Sequence, residues 1–128
     1  MIGSGDGGSA ALSPDQRAVL HGRLVAAVER ARSDLVAGNR DFAMIVAASA
    51  QSNADDEHDP EGATIAFERA QVSSLIQRAR AAESAAARAL ARWESGTYGR
   101  CEICGAAIAY ERLLARPATT RCIQHAAG

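Results

Sequence analysis

Two runs of mostly small and apolar residues dominate this chain, and both advance in alternating steps of three and four. The first is Leu24, Val28, Ala31, Leu35, Gly38, Phe42, Ile45 and Ser49; the second is Ile65, Glu68, Val72, Leu75, Ala79, Ala82, Ala86, Ala89 and Trp93. That period is the heptad seam of a coiled coil. Composition points the same way. Alanine fills 30 of 128 positions, and there are five aromatics, Phe42, Phe67, Trp93, Tyr98 and Tyr110. Alanine is the best helix former, whereas a β-sandwich needs β-branched and aromatic residues that are scarce here. Alanine also buries little area, so a narrow helical structure with a staple is expected rather than a wide core.

The ends of the helices are written in local signals. Residues 1–12 are rich in Gly and Ser and read as a disordered arm. Ser13-Pro14-Asp15-Gln16 then offers a cap, a proline for the first helical position, and a glutamine to close a capping box. Gly38-Asn39 is the weak point of the first helix; a close helix contact, a kink and a break are the readings, and a continuous helix is favoured. The period stops at Gln51 to His58. Asp59-Pro60-Glu61 restarts it, with Asp59 as cap and Glu61 at the positive helix end. The second helix is expected to stop near Ser95-Gly96. Two helices of about 35 residues, joined by a short acidic loop, predict an antiparallel hairpin about 50 Å long. The expected fold is all-α: a long antiparallel two-helix coiled-coil hairpin over 13–96, its tip near 53–63, followed by a small C-terminal module over 97–128.

The net charge of −1 hides a separation. Residues 1–68 hold 11 acids and five arginines, whereas 69–128 hold four acids and nine arginines. From Asp41 to Glu68 there are seven acids and no arginine, and the chain has no lysine at all. Arg69, Arg78, Arg80, Arg88 and Arg92 fall off the second seam and are expected to stay wet. The first residues lack a signal-peptide pattern, and no run of 18 apolar residues exists. A cytoplasmic protein without membrane contact is expected, in which clustered thiols stay reduced and favour metal binding over disulfides.

The three cysteines then fall into place. Cys101-x2-Cys104 is followed, after 17 residues, by Cys122-x2-His125. Two such knuckles supply four ligands to a tetrahedral Zn²⁺, with Gly105 free to take the positive φ that the first turn needs. With every position taken by protein, the site is closed and structural. A redox pair at Cys101 and Cys104 is disfavoured because no βαβ pattern surrounds it. His21 and His58 lack ligand spacing and read as solvated. The module's large apolar groups are few (Ile103, Ile108, Tyr110, Leu113 and Leu114), so zinc, worth on the order of 10 kcal/mol when coupled to folding, is the expected staple.

Residues 98–125 resemble the DksA/TraR-type zinc finger. The matching positions are Tyr98, Gly99, Cys101, Cys104, Gly105, Ile108, Arg112, Leu113, Ala115, Pro117 and Cys122, with His125 standing where the family has its fourth cysteine. The resemblance extends over residues 14–125, because the family places an antiparallel coiled coil with an acidic tip before the finger. It implies a bacterial transcription factor that binds RNA polymerase through the secondary channel rather than DNA. It further implies a tip, here Asp55, Asp56, Glu57, Asp59, Glu61 and Ala63, acting near the polymerase active site; several members work with the alarmone ppGpp. Well-known members carry D-x-x-D-x-A at the tip. Counted back from Cys101, the corresponding positions here are His58, Glu61 and Ala63, so the first acid is missing unless the register slips by one.

The leading expectation is therefore a polymerase-binding transcription regulator. A zinc-finger nucleic-acid binder is the first alternative, weakened because residues 98–128 hold only four arginines against two glutamates. A coiled-coil adapter or homodimer without a polymerase role is the second. An enzyme is not expected, since the metal site is closed and neither a nucleophile–base pair nor a phosphate loop is evident.

Overall fold

The computed structural model describes residues 12–52 and 60–126. Helix α1 spans Pro14–Ser52 in 39 residues, and α2 spans Pro60–Ser95 in 36. A short α3, Tyr110–Ala115, and a 3₁₀ turn, Ile123–His125, follow. Among the described residues there is no strand, only an isolated antiparallel bridge between Arg100 and Ala107. The fold is the expected all-α hairpin with a C-terminal finger.

The start of α1 is the capping box read from the sequence. The Gln16 N–H donates to Ser13 Oγ at 3.0 Å, and the Ser13 N–H donates to Gln16 Oε1 at 2.9 Å. Two of the helix's orphan amides are thereby satisfied. The end of α2 is equally local. Thr97 N–H donates to Arg92 O at 2.9 Å and Gly96 N–H to Trp93 O at 3.1 Å, the two bonds of a Schellman stop. The helix α1 runs unbroken through Gly38-Asn39.

The chain divides into two compact units. In the unit formed by 29–83, the helices pack antiparallel: Arg32 pairs with Glu83 at 2.7 Å and Gly38 faces Ile76, so the partner number falls as that of α1 rises. The α1 seam is as expected, with Ala31 buried and Leu35, Gly38, Phe42, Ile45 and Ser49 half-buried. The α2 seam is partly corrected. Glu68, Leu75 and Ala82 are exposed, and Ile76 and Glu83 take the inner positions instead. The cause lies on the facing helix. Gly38 has no side chain, which leaves room for the branched Ile76, while the half-buried Glu83 reaches across to the exposed Arg32.

A Cβ added at Gly38 would lie 2.8 Å from Ile76 Cγ1. Gly38→Ala therefore sets a helix-propensity gain against overpacking. The expected outcome is a net loss of about 1 kcal/mol in a denaturant titration, turning into a gain of about 1 kcal/mol in an Ile76→Ala background. Equal effects in both backgrounds would remove the contact from the account.

The second unit combines 12–28 with 84–126. Leu20, Leu24, Ala89, Tyr98, Ile108 and Leu113 form its core, with Leu12, Trp93 and Cys122 packed against it. The seam of α1 thus begins one step before Leu24. Leu12, assigned by sequence to the arm, joins the core; residues 1–11 lie outside the described residues. Arg92 also departs from expectation. It is half-buried, donating from Nη2 to Thr97 O at 3.0 Å and to Arg100 O at 2.6 Å. A guanidinium at this helix end satisfies carbonyls that the helix leaves open. His21 lies 5.0 Å from the Trp93 ring and Arg17 4.5 Å above it.

Candidate metal centre

The site is built on two turns held together by backbone. Gly105 N–H donates to Cys101 O at 2.9 Å and Ile103 N–H to Cys101 Sγ at 3.4 Å, closing the first knuckle. Gly105 takes φ 77°, the left-handed value that its sequence position suggested. The second knuckle is the 3₁₀ turn, closed by His125 N–H to Cys122 O at 3.0 Å. Glu102 N–H donates to Thr120 O at 2.8 Å and so ties the two knuckles together.

Four ligand atoms, from Cys101, Cys104, Cys122 and His125, lie within 4.8 Å of one another. The sulfurs of Cys104 and Cys122 are 3.8 Å apart. Nδ1 of His125 is 3.5 Å from Cys101 Sγ and 3.2 Å from Cys122 Sγ. A tetrahedral zinc with Zn–S of about 2.3 Å and Zn–N of about 2.0 Å sets edges of about 3.8 Å for S–S and about 3.5 Å for S–N. The donor set fits that ion in number, type and spacing.

The electrostatics ask for a cation as well. Burial raises the Cys101 thiol, but the backbone N–H groups of Cys122, Cys104 and Ile103 outweigh it and bring it down to about 5. At Cys104 the Ala106 N–H favours the thiolate, whereas burial and the sulfurs of Cys101 and Cys122 push the thiol up. Burial also raises the Cys122 thiol, but hydrogen bonds from His125 and the Gln124 backbone outweigh it and hold the thiol below its ordinary value. Two thiolates are thus favoured and Cys104 is opposed by like charge, a conflict that a divalent ion relieves. When bound, zinc supplies a closed cross-link between the knuckles.

A second layer holds the turns from outside. Glu102 accepts from Arg121 Nε and from Thr120 Oγ1, both at 2.9 Å, and these partners keep its carboxyl below the usual range. Arg112 donates to Arg121 O at 3.0 Å, fixing the approach to Cys122. The spacing of ligands gave no hint of Arg112, Glu102 or Arg121 as supports; for Arg112 the only signal is its place in the family pattern. Ile103, counted by sequence among the module's apolar groups, is 54% exposed, and Ile123 is 77% exposed. The metal's turns present these side chains outward.

Tyr98 anchors the finger to the core. It is buried and donates its OH to Pro117 O at 2.8 Å. Burial pushes its hydroxyl from 10.0 up to about 12. An acid whose folded-state pKa is raised stabilises the fold fully below its unfolded pKa. That contribution is lost as pH rises from about 10 toward about 12. Denaturant midpoints measured across this window are expected to fall for the natural chain. In Tyr98→Phe, which costs about 1 kcal/mol at neutral pH, this phase should disappear; an identical pH profile would refute the role of Tyr98.

Of the remaining sequence-singled residues, Asp55, Asp56, Glu57, His58 and Asp59 lie outside the described residues. Glu61 lies in the first turn of α2, and Ala63 is exposed. His21 is exposed, as expected, though set against Trp93. Among the described residues no helix is long and apolar enough to cross a membrane.

Comparison with known proteins places these observations. Residues 96–124 match the model of the prokaryotic dksA/traR C4-type zinc finger. The match ends one residue before His125. The structure of transcription factor DksA2 from Pseudomonas aeruginosa superposes with a TM-score of 0.72 at 23% identity, over 91% of this chain and 84% of that one. No curated protein sequence matches the chain. The chain therefore carries a structural zinc finger of the DksA/TraR family on a DksA-like helical fold.

Proposed function

We propose that this chain is a non-enzymatic transcription regulator that binds RNA polymerase through its secondary channel, with Cys101, Cys104, Cys122 and His125 holding one structural zinc. The observation that carries this reading is the conjunction of a DksA/TraR finger with a DksA-like fold over nine-tenths of the chain. Charge supports it. The segment 29–83 contains ten acids and six arginines, whereas the rest of the chain has eight arginines and five acids. An acidic segment between α1 and α2 suits a channel lined by basic side chains and ending at catalytic Mg²⁺, while the arginines suit acidic surface outside it. The active residues are Asp55, Asp56, Glu57, Asp59, Glu61 and Ala63.

Core RNA polymerase should be retained by the immobilised chain, and in vitro transcription should respond to it. Reversing Asp56, Asp59 and Glu61 to Arg should reduce that response at least tenfold while leaving the helical signal and zinc content intact. An unchanged response would reject the acidic segment as the active element; failure to bind polymerase would reject the partner. Repeating the assay with ppGpp tests whether the alarmone acts with the protein.

A further inference from the structure

We infer that His125 binds the metal through Nδ1, so that the finger is a three-sulfur, one-nitrogen site with the imidazole Nε2 left bearing its proton. Three observations carry this. Nδ1 is the ring atom that stands at tetrahedral-edge distance from two sulfurs, 3.5 Å from Cys101 Sγ and 3.2 Å from Cys122 Sγ. The 3₁₀ turn Ile123–His125, closed by the bond from His125 N–H to Cys122 O, brings the base of the side chain close to the Cys122 sulfur. In so short a turn the ring nitrogen nearer the backbone stands where a cysteine sulfur would, and it is Nδ1 that lies beside both sulfurs. Among the described residues no protein group bonds Nε2.

The consequence is chemical. Three thiolates and a neutral imidazole leave the zinc site with one negative charge, where four thiolates leave two. A neutral ring metallated at Nδ1 must carry its proton on Nε2. Metal-bound histidines ordinarily donate this second N–H to a carboxylate, carbonyl or water. Among the described residues, this Nε2–H is a donor without a protein acceptor.

The inference rests on the four-residue zinc site, and the test separates the two. Metal analysis of the full-length protein, as isolated, comes first: one zinc per chain is expected, and a metal-free protein would overturn both the site and the nitrogen assignment. Long-range proton–nitrogen correlation spectra of the zinc-loaded protein then report each nitrogen of His125. A metallated Nδ1 beside a protonated Nε2 is expected; metallation at Nε2, or a ring bearing no metal, would overturn the inference while leaving the zinc in place. Cadmium substitution gives a second readout. The cadmium resonance of His125→Cys should move to the position of a four-sulfur site, away from that of the natural chain; coincident resonances would show that nitrogen is not a ligand.

Discussion

Cys101→Ser is expected to reduce zinc from one ion per chain to none and to unfold the finger. Cys101 is the buried ligand, and its sulfur and carbonyl also accept from Ile103 N–H and Gly105 N–H, so its loss removes the ion and the turn together. A structural zinc contributes about 10–16 kcal/mol to small metal-dependent folds, and the few apolar side chains of 97–126 do not replace that. The damage should be uneven. Amide protons of Glu102, Gly105 and His125 should exchange at unfolded rates, whereas the helical signal of α1 and α2 should largely remain, because the packing within 29–83 does not involve the metal. Unchanged zinc content after this substitution would contradict the ligand set.

Leu113→Ala is expected to cost about 3 kcal/mol, within the 2–5 kcal/mol range for a fully buried leucine that leaves a cavity. Leu113 is 0% exposed and shares a core with Leu20 and Leu24 of α1, Ala89 of α2, and Tyr98 and Ile108. The loss should therefore appear both in the finger and in the flanking helix ends, within one cooperative transition of this unit. Leu75→Ala removes the same side chain from a position that is 54% exposed and should stay within about 0.5 kcal/mol of the natural chain. Equal costs at the two positions would show that the core is misassigned.

Most of the secondary structure was legible because its causes are local. Ser13 and Gln16 form the expected box, Pro14 and Pro60 open their helices, and α2 ends at Ser95 as the Gly96 signal required. Each knuckle was legible for the same reason, its two donors lying three positions apart, whereas the bond from Glu102 N–H to Thr120 O is what brings the two knuckles together. The inner face of α2 was read only in part. A ladder rich in alanine has a shallow hydrophobic contrast, so Leu75 and Ile76 compete for one inner position, and α2 alone does not say which wins. Arg92 departs from the seam pattern because an arginine off an apolar seam normally points to water, whereas here the carbonyls of Thr97 and Arg100 receive it.

The division follows from the range of the forces. Caps, helix period, glycine stops and each metal knuckle depend on residues a few positions apart, and so follow from local sequence alone. The choice of Ile76 over Leu75, the shared core of Leu113 with Leu20 and Leu24, and the nitrogen of His125 that faces the sulfurs depend on what stands opposite. Close packing admits one side chain where two are chemically alike, and that choice was made only when the facing surfaces met.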